Sequence, residues 1–174
     1  MLFTKRSFVM KKTVLLIIVF VGVLVFAVGY SDSQYRTALG RDVPSLWLPD
    51  GEDGVTLDDM HGNYVLLNFW KSTDAPSRRS ANDYTAWLRR HPGTNVRLVS
   101  VNLDDSPEMY REIVRLDSLI PATQFHVDGD TARAVCNSFG LDDGLGTMLV
   151  GTDGKIMAHN PSWDVLNGII KTAN

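Results

Sequence analysis

The sequence predicts an α/β domain in which a mixed central sheet is flanked by helices and preceded by a β-hairpin. Three observations predict it. Residues 64–70, YVLLNFW, form a nearly continuous apolar run of strand length, which suits a central strand covered on both faces. An amphipathic helical pattern and a second apolar run follow with short connections, an order that makes a βαβ unit with an expected right-handed crossover. Near the C-terminus, GTMLVG and KIMAH flank the turn residues Thr152, Asp153 and Gly154, so a hairpin adds antiparallel strands to the parallel ones.

Residues 44–63 alternate short apolar pieces with Asp-Gly and His-Gly turn signals, which reads as the N-terminal hairpin. After the strand at 64–70 and a polar loop, Ala81, Tyr84 and Leu88 recur at helical spacing. Arg78, Arg79, Asp83, Arg89 and Arg90 occupy the other faces, and His91, Pro92 and Gly93 end the helix. NVRLVSVNL, residues 95–103, is the next strand. Ser106, Pro107 and Glu108 open another helix, because a hydroxyl cap, a first-turn proline and an early carboxylate all suit a helix N-terminus. Its expected core stripe is Met109, Ile113, Leu116 and Ile120. TQFHVD, residues 123–128, is a short strand, and Ala132, Val135, Cys136 and Phe139 form the stripe of a helix that Gly140 stops. A last helix from about Pro161 is expected to bury Trp163, Leu166, Ile169 and Ile170. Trp47 and Trp70 read as core residues.

Residues 13–31 carry no charge and follow Lys11 and Lys12. As a helix this run rises about 28 Å, close to the hydrocarbon thickness of about 30 Å, and the flanking cations favour a cytoplasmic N-terminus. The expectation is therefore a segment 1–30 acting as an uncleaved anchor, or as a signal peptide cut after small residues such as Ala27 and Gly29. A tether at 31–43 and a domain at 44–174 on the periplasmic or extracytoplasmic face would follow. Tyr30 stands where a lipid-bearing cysteine would sit in AVGYSDS, so lipidation is not expected. All 20 acidic residues lie beyond residue 31, against 13 of the 17 basic ones, so this part has a net charge of −7. That balance lacks the electrostatic footprint of a nucleic-acid binder. The single cysteine, Cys136, excludes an intramolecular disulfide and a cysteine-rich zinc site.

Gly54, Val55 and Leu57 precede the strand residues Val65, Leu66, Leu67, Asn68, Phe69 and Trp70; Val101, Asn102, Leu103, Asp104 and Asp105 come next, and Asp153, Gly154 and Lys155 last. In this order, from about Pro44 to Lys171, they resemble the thioredoxin-like family, in its membrane-anchored TlpA-like or ResA-like branch. The resemblance implies a thioredoxin-like fold with a Trp-Cys-x-x-Cys redox motif after the Phe-Trp. This chain instead reads Thr73, Asp74, Ala75, Pro76 and Ser77, so both cysteine positions are lost, to Asp74 and Ser77. The family's chemistry is attack of a thiolate on a disulfide sulfur, resolved by a second thiol. A carboxylate and an un-ionised hydroxyl form no mixed disulfide, which excludes dithiol exchange at this site. The family also places a cis-proline just before the penultimate strand, where this chain has Leu145 or Gly146.

Asp74 reads first as a helix N-cap. The functional reading is a binding groove in the former redox site: Asp74, Ser77, Asp142 and Asp143, completed by Trp70, Thr73, Pro76, Leu145 and Gly146, would take a basic peptide or a cation. Lys71, Arg78 and Arg79 would neutralise those carboxylates and disfavour a metal. Cys136 lies on an apolar stripe and reads as an inert thiol, since a reactive cysteine of the peroxiredoxin kind would stand at the start of a helix with a Thr and an Arg around it. His61, His91, His126 and His159 show no metal-ligand spacing, and the DDGLGT segment, residues 142–147, lacks the ending and the helix of a phosphate loop. No cofactor and no metal are expected. The sequence thus points to a redox-inactive domain acting by binding, in an accessory or assembly role, with the membrane reached through its N-terminal segment and a protein or peptide partner at the groove. The alternatives are a thiol oxidoreductase or peroxidase working through Cys136, or a structural domain within a larger envelope complex.

Overall fold

A computed structural model describes residues 37–50 and 54–172. The apolar run at 13–31 and its expected cleavage lie outside the described residues. Among those described, no helix is long and apolar enough to cross a membrane.

β1 (Trp47–Leu48) and β2 (Val55–Thr56) form the expected antiparallel hairpin, with Trp47 opposite Thr56. The main sheet contains β3 (Tyr64–Trp70), β4 (Val96–Asn102), β5 (Gln124–His126), β6 (Thr147–Val150) and β7 (Ile156–His159), in the order β5-β4-β3-β6-β7. β3, β4 and β5 run parallel, and β6 and β7 join antiparallel. The helices are α1 (Ala75–Arg90), α2 (Pro107–Leu116), α3 (Gly129–Phe139) and α4 (Trp163–Thr172).

The unbroken apolar run of β3 follows from having cover on both faces. Val65, Leu67 and Phe69 pack with Leu48 of the hairpin and Val135 and Phe139 of α3, the two phenylalanine rings 4.9 Å apart. Leu66 points the other way, to Tyr84 and Trp87 of α1 and Leu166 and Ile169 of α4. At the strand's end Trp70 is fully buried among Ala81, Leu119, Tyr110, Ile113 and Val114. Gly140 ends α3 in the left-handed conformation at φ 63°, which suits a residue without Cβ.

Four expectations change. The inward face of α2 carries Tyr110, Ile113 and Val114, while Met109 and Leu116 are 45% and 56% exposed and Ile120 lies beyond the helix. Two polar anchors set this rotation: the Tyr110 hydroxyl donates to the Gln124 carbonyl at 2.9 Å, and Asp117 at the helix end is held by Arg78 at 2.6 Å. Trp47 is not core but 55% exposed, because its indole lies across Gly54, where a Cβ would come within 2.5 Å of the ring. Trp163 is 44% exposed at the start of α4 and leans on Tyr84, with ring centroids 5.6 Å apart. Finally, the stretch read as tether is docked from Thr37 onward. Gly40 and Arg41 exchange main-chain hydrogen bonds with Ile156, Val43 donates to Gly154, and His159 Nε2 bonds the Thr37 carbonyl at 2.7 Å. The outer edge of β7 thereby gains a partner, which relieves an unpaired sheet edge.

Candidate functional site

β3 and β4 end side by side, Trp70 opposite Asn102, and the loops that leave them build the site. After β3 the chain turns through residues 71–74 into α1. Asp74 has extended backbone at φ −97°, and its Oδ1 accepts from the Ser77 amide at 2.9 Å, an N-cap that satisfies one free amide of the first turn. Pro76 sits in that first turn, where its missing N–H costs nothing. The Ser77 hydroxyl is buried; it donates to the Asp74 carbonyl and accepts from the Lys71 amide, both at 3.2 Å. Hydrogen bonding from Ser77 holds the Asp74 carboxyl below the usual carboxylate range, so it is ionised at neutral pH. The side-chain oxygens of Asp74 and Ser77 are therefore both bonded within their own loop.

A second carboxylate organises the neighbouring loop. Asp104 is buried and accepts from the Ser72 amide at 3.0 Å, from the Ser72 hydroxyl, and from Asn102 Nδ2 at 2.8 Å. Its own amide donates to Asn102 Oδ1 at 3.1 Å, and its carbonyl is bonded by His126 Nε2 at 2.9 Å. The His126 ring stacks on Tyr110 at 5.0 Å. Beneath this network a buried polar ladder crosses three strands: Thr147 Oγ1 donates to Asn68 Oδ1 at 2.9 Å, and Asn68 Nδ2 donates to Ser100 Oγ at 3.1 Å. A bidentate pair between Arg78 and Asp117, joined by Asn82 Nδ2, ties the start of α1 to the end of α2. Arg78 holds the Asp117 carboxyl below its usual range.

The predicted groove residues separate into two groups. Asp74 and Ser77 touch directly, and the Gly146 carbonyl accepts from the Phe69 amide at 3.0 Å, which puts the 145–147 segment against the end of β3. Thr73, Pro76 and Asp142 are exposed, whereas Trp70 is fully buried and backs the site instead of lining it; Leu145 is half-buried against the core. Asp142 and Asp143 lie in a short helical turn at Leu141–Asp143. Cys136 is half-buried; burial pushes its thiol up, Lys71 opposes that, and Asp142 adds to it. A thiol raised in this way is protonated at neutral pH and a poor nucleophile. His91, His126 and His159 each bond a main-chain carbonyl through one ring nitrogen. Among the described residues no three His, Cys, Asp or Glu side chains gather as a metal site.

Residues 39–159 match the AhpC/TSA family. The chain belongs to that family. It is 23% identical over 154 residues to the thiol-disulfide oxidoreductase ResA of Bacillus subtilis (strain 168), a match covering 88% of this chain and 83% of that protein. The ResA of Bacillus anthracis is 20% identical over 130 residues, 74% of this chain and 73% of that one. Among solved structures, a thioredoxin-like protein from Parabacteroides distasonis ATCC 8503 superposes with a TM-score of 0.66 at 25% identity, over 78% of this chain and 96% of that one. The thioredoxin domain of a thiol-disulfide oxidoreductase from Bacteroides vulgatus gives a TM-score of 0.67 at 24% identity, over 79% and 99%. The fold is thioredoxin-like, and this AhpC/TSA member has one cysteine where dithiol chemistry needs two.

Asp104 and the Asn68–Ser100–Thr147 ladder lie outside the groove that the sequence predicts. A signal existed: Ser100, Asn102 and Asp104 alternate with Val99, Val101 and Leu103, a polar stripe on one face of a strand whose other face is apolar. Polar residues at period two in an otherwise buried strand mark a network that must be closed internally.

Proposed function

We propose that this domain is a redox-inactive member of its family that acts by binding, in an accessory or assembly role on the extracytoplasmic side of a membrane. The observation that supports this reading is the pair Asp74 and Ser77, which stand where the resemblance expects two cysteines and bond to each other within one loop. Neither can form or resolve a mixed disulfide. The partner surface in this reading is the exposed rim around Thr73, Pro76 and Asp142, and a basic peptide suits its carboxylates. The uncharged run at 13–31 supports anchoring or export by that segment.

The family and its ResA relatives favour one competing reading, a thiol oxidoreductase or peroxidase working through Cys136. Insulin reduction and peroxide consumption by the detergent-solubilised full chain separate the two. No turnover is expected; turnover that Cys136→Ser abolishes would replace binding with catalysis. A pull-down from solubilised membranes with Asp142→Lys and Asp143→Lys then tests the groove, where unchanged partner recovery removes it as the binding surface.

A further inference from the structure

The opposite end of the same strands presents a different surface. β5 pairs with β4 only along Ser100–Asn102, because the chain before it is coiled into a short helical turn at Pro121–Thr123, where a proline stops the ladder from continuing. The first half of β4, Val96 to Val99, thus has β3 on one side and no strand on the other among the described residues. The phase of the ladder is set by its ends. The Tyr64 amide donates to the Asn95 carbonyl and the Leu103 amide donates to the Trp70 carbonyl, while the Asn102 carbonyl accepts from Val127 on the β5 side. Alternation along a strand then aims the main-chain groups of Arg97 and Val99 at β3, and those of Val96 and Leu98 away from it. The Val96 amide is capped by Thr94 Oγ1 at 3.3 Å. The amide and carbonyl of Leu98 and the carbonyl of Val96 have no strand partner on this side among the described residues.

These groups border a cleft of about 540 Å³. One wall, on the hairpin side, includes Val55, Met60, Asp50 and Asp59; the other, at the end of α1, includes Leu88 and Pro92. Asp59 is bonded by Thr56, which keeps its carboxyl ionised, and among the described residues lining the cleft Arg97 is the one Lys or Arg. The lining carries two carboxylates against one guanidinium, and the wall at the end of α1 sets the His91 ring beside its apolar Leu88 and Pro92.

We propose that this cleft binds an extended, basic polypeptide segment of a partner protein, which adds as a short strand beside β4 in the lane that β5 leaves empty. A donor flanked by two acceptors at strand spacing matches the main chain of an extended peptide, whose successive side chains then face opposite walls. A basic residue meets Asp50 and Asp59, and an apolar one meets Leu88 and Pro92. The slot from Val96 to Val99 spans about 13 Å, room for a strand of roughly four residues. This surface lies a strand length, roughly 20 Å, from the Asp74–Ser77 loop, and it stands independently of the groove proposed there.

The test is site-resolved amide hydrogen exchange on the detergent-solubilised full chain, with a blocked octapeptide of alternating lysine and valine at about 1 mM as probe. In the free protein the Leu98 amide is expected to exchange faster than the Val99 amide, which β3 holds. Addition of the peptide is expected to slow Leu98 by about tenfold or more, with the same peptide N-methylated on its main chain giving no slowing. An alternating glutamate-valine peptide is expected to protect at least about threefold less. Equal protection of Leu98 and Val99 in the free protein, no slowing at Leu98, slowing by the N-methylated peptide, or equal slowing by the acidic peptide would each overturn the proposal.

Discussion

At the C-terminal ends of β3 and β4 the polar groups engage one another, whereas the N-terminal half of β4 borders a cleft on the side where, among the described residues, it has no strand partner. Asp74, Ser77, Ser72, Asn102 and Asp104 form closed hydrogen-bond sets, and the side chains left outward there are few and exposed. The open end has no such closure because β5 is too short to cover β4. The difference teaches that one end of a sheet can be closed by hydrogen bonds within its loops while the other stays open: Asp74 and Ser77, where the resemblance expects two sulfurs, bond within their own loop. Binding capacity is a matter of groups left unpaired, and those lie elsewhere on the sheet as well.

The strongest way to break this contrast is to restore the sulfurs. Asp74→Cys with Ser77→Cys places two thiols at the N-terminus of α1, where a thiolate is stabilised, and insulin reduction is expected to rise from none to measurable. A double variant that forms its disulfide but turns over nothing would show that the segment at Leu145 and Gly146 has also left the active geometry. Next in size is Asp104→Ala, which leaves the Ser72 amide and the Asn102 side chain without their acceptor; a loss of about 3 kcal/mol is expected in chemical denaturation. A loss below about 0.5 kcal/mol would mean that the closed end is not held by this carboxylate.

The clamp between Arg78 and Asp117 sharpens the comparison through pH. Its coupling in a double-mutant cycle is expected at about 1.5 kcal/mol, since both groups are largely shielded and the pairing is bidentate. Arg78 depresses the folded-state pKa of Asp117, so the contribution is complete above the unfolded value of about 3.9 and is lost as pH falls through the lower folded value. Asp117→Asn should therefore flatten the acid limb of the stability profile, and an unchanged limb would count against the clamp. Smaller still is Asp74→Ala, at about 1 kcal/mol for a lost cap, with Asp74→Asn close to neutral because asparagine caps equally well. Cys136, with its thiol pushed up by burial, should react slowly with iodoacetamide at neutral pH and faster only as the solution becomes alkaline; rapid alkylation at pH 7 would revive a catalytic role.

Much of this molecule could be read from its residues in order. Patterns that depend only on neighbours in the chain, such as the apolar run of β3, the Asp74 and Ser106 caps, the Gly140 stop and the turn at Asp153 and Gly154, appear where local sterics and hydrogen bonding demand them. The rotation of α2 escaped that logic. Met109 and Leu116 are as apolar as any core pair, yet the turn of the helix is decided by Arg78 and Gln124, which lie outside the helix on either side of it. Trp47 likewise reads as core and is exposed because Gly54, across the hairpin, gives its ring a flat place to rest. For the candidate site, the absence of sulfur at 74 and 77 was legible from identity alone, since chemistry follows from which atoms are present. Which polar groups close on each other and which are left open was settled by strand register and by where β5 stops, and both are properties of long-range pairing that no local run of residues encodes.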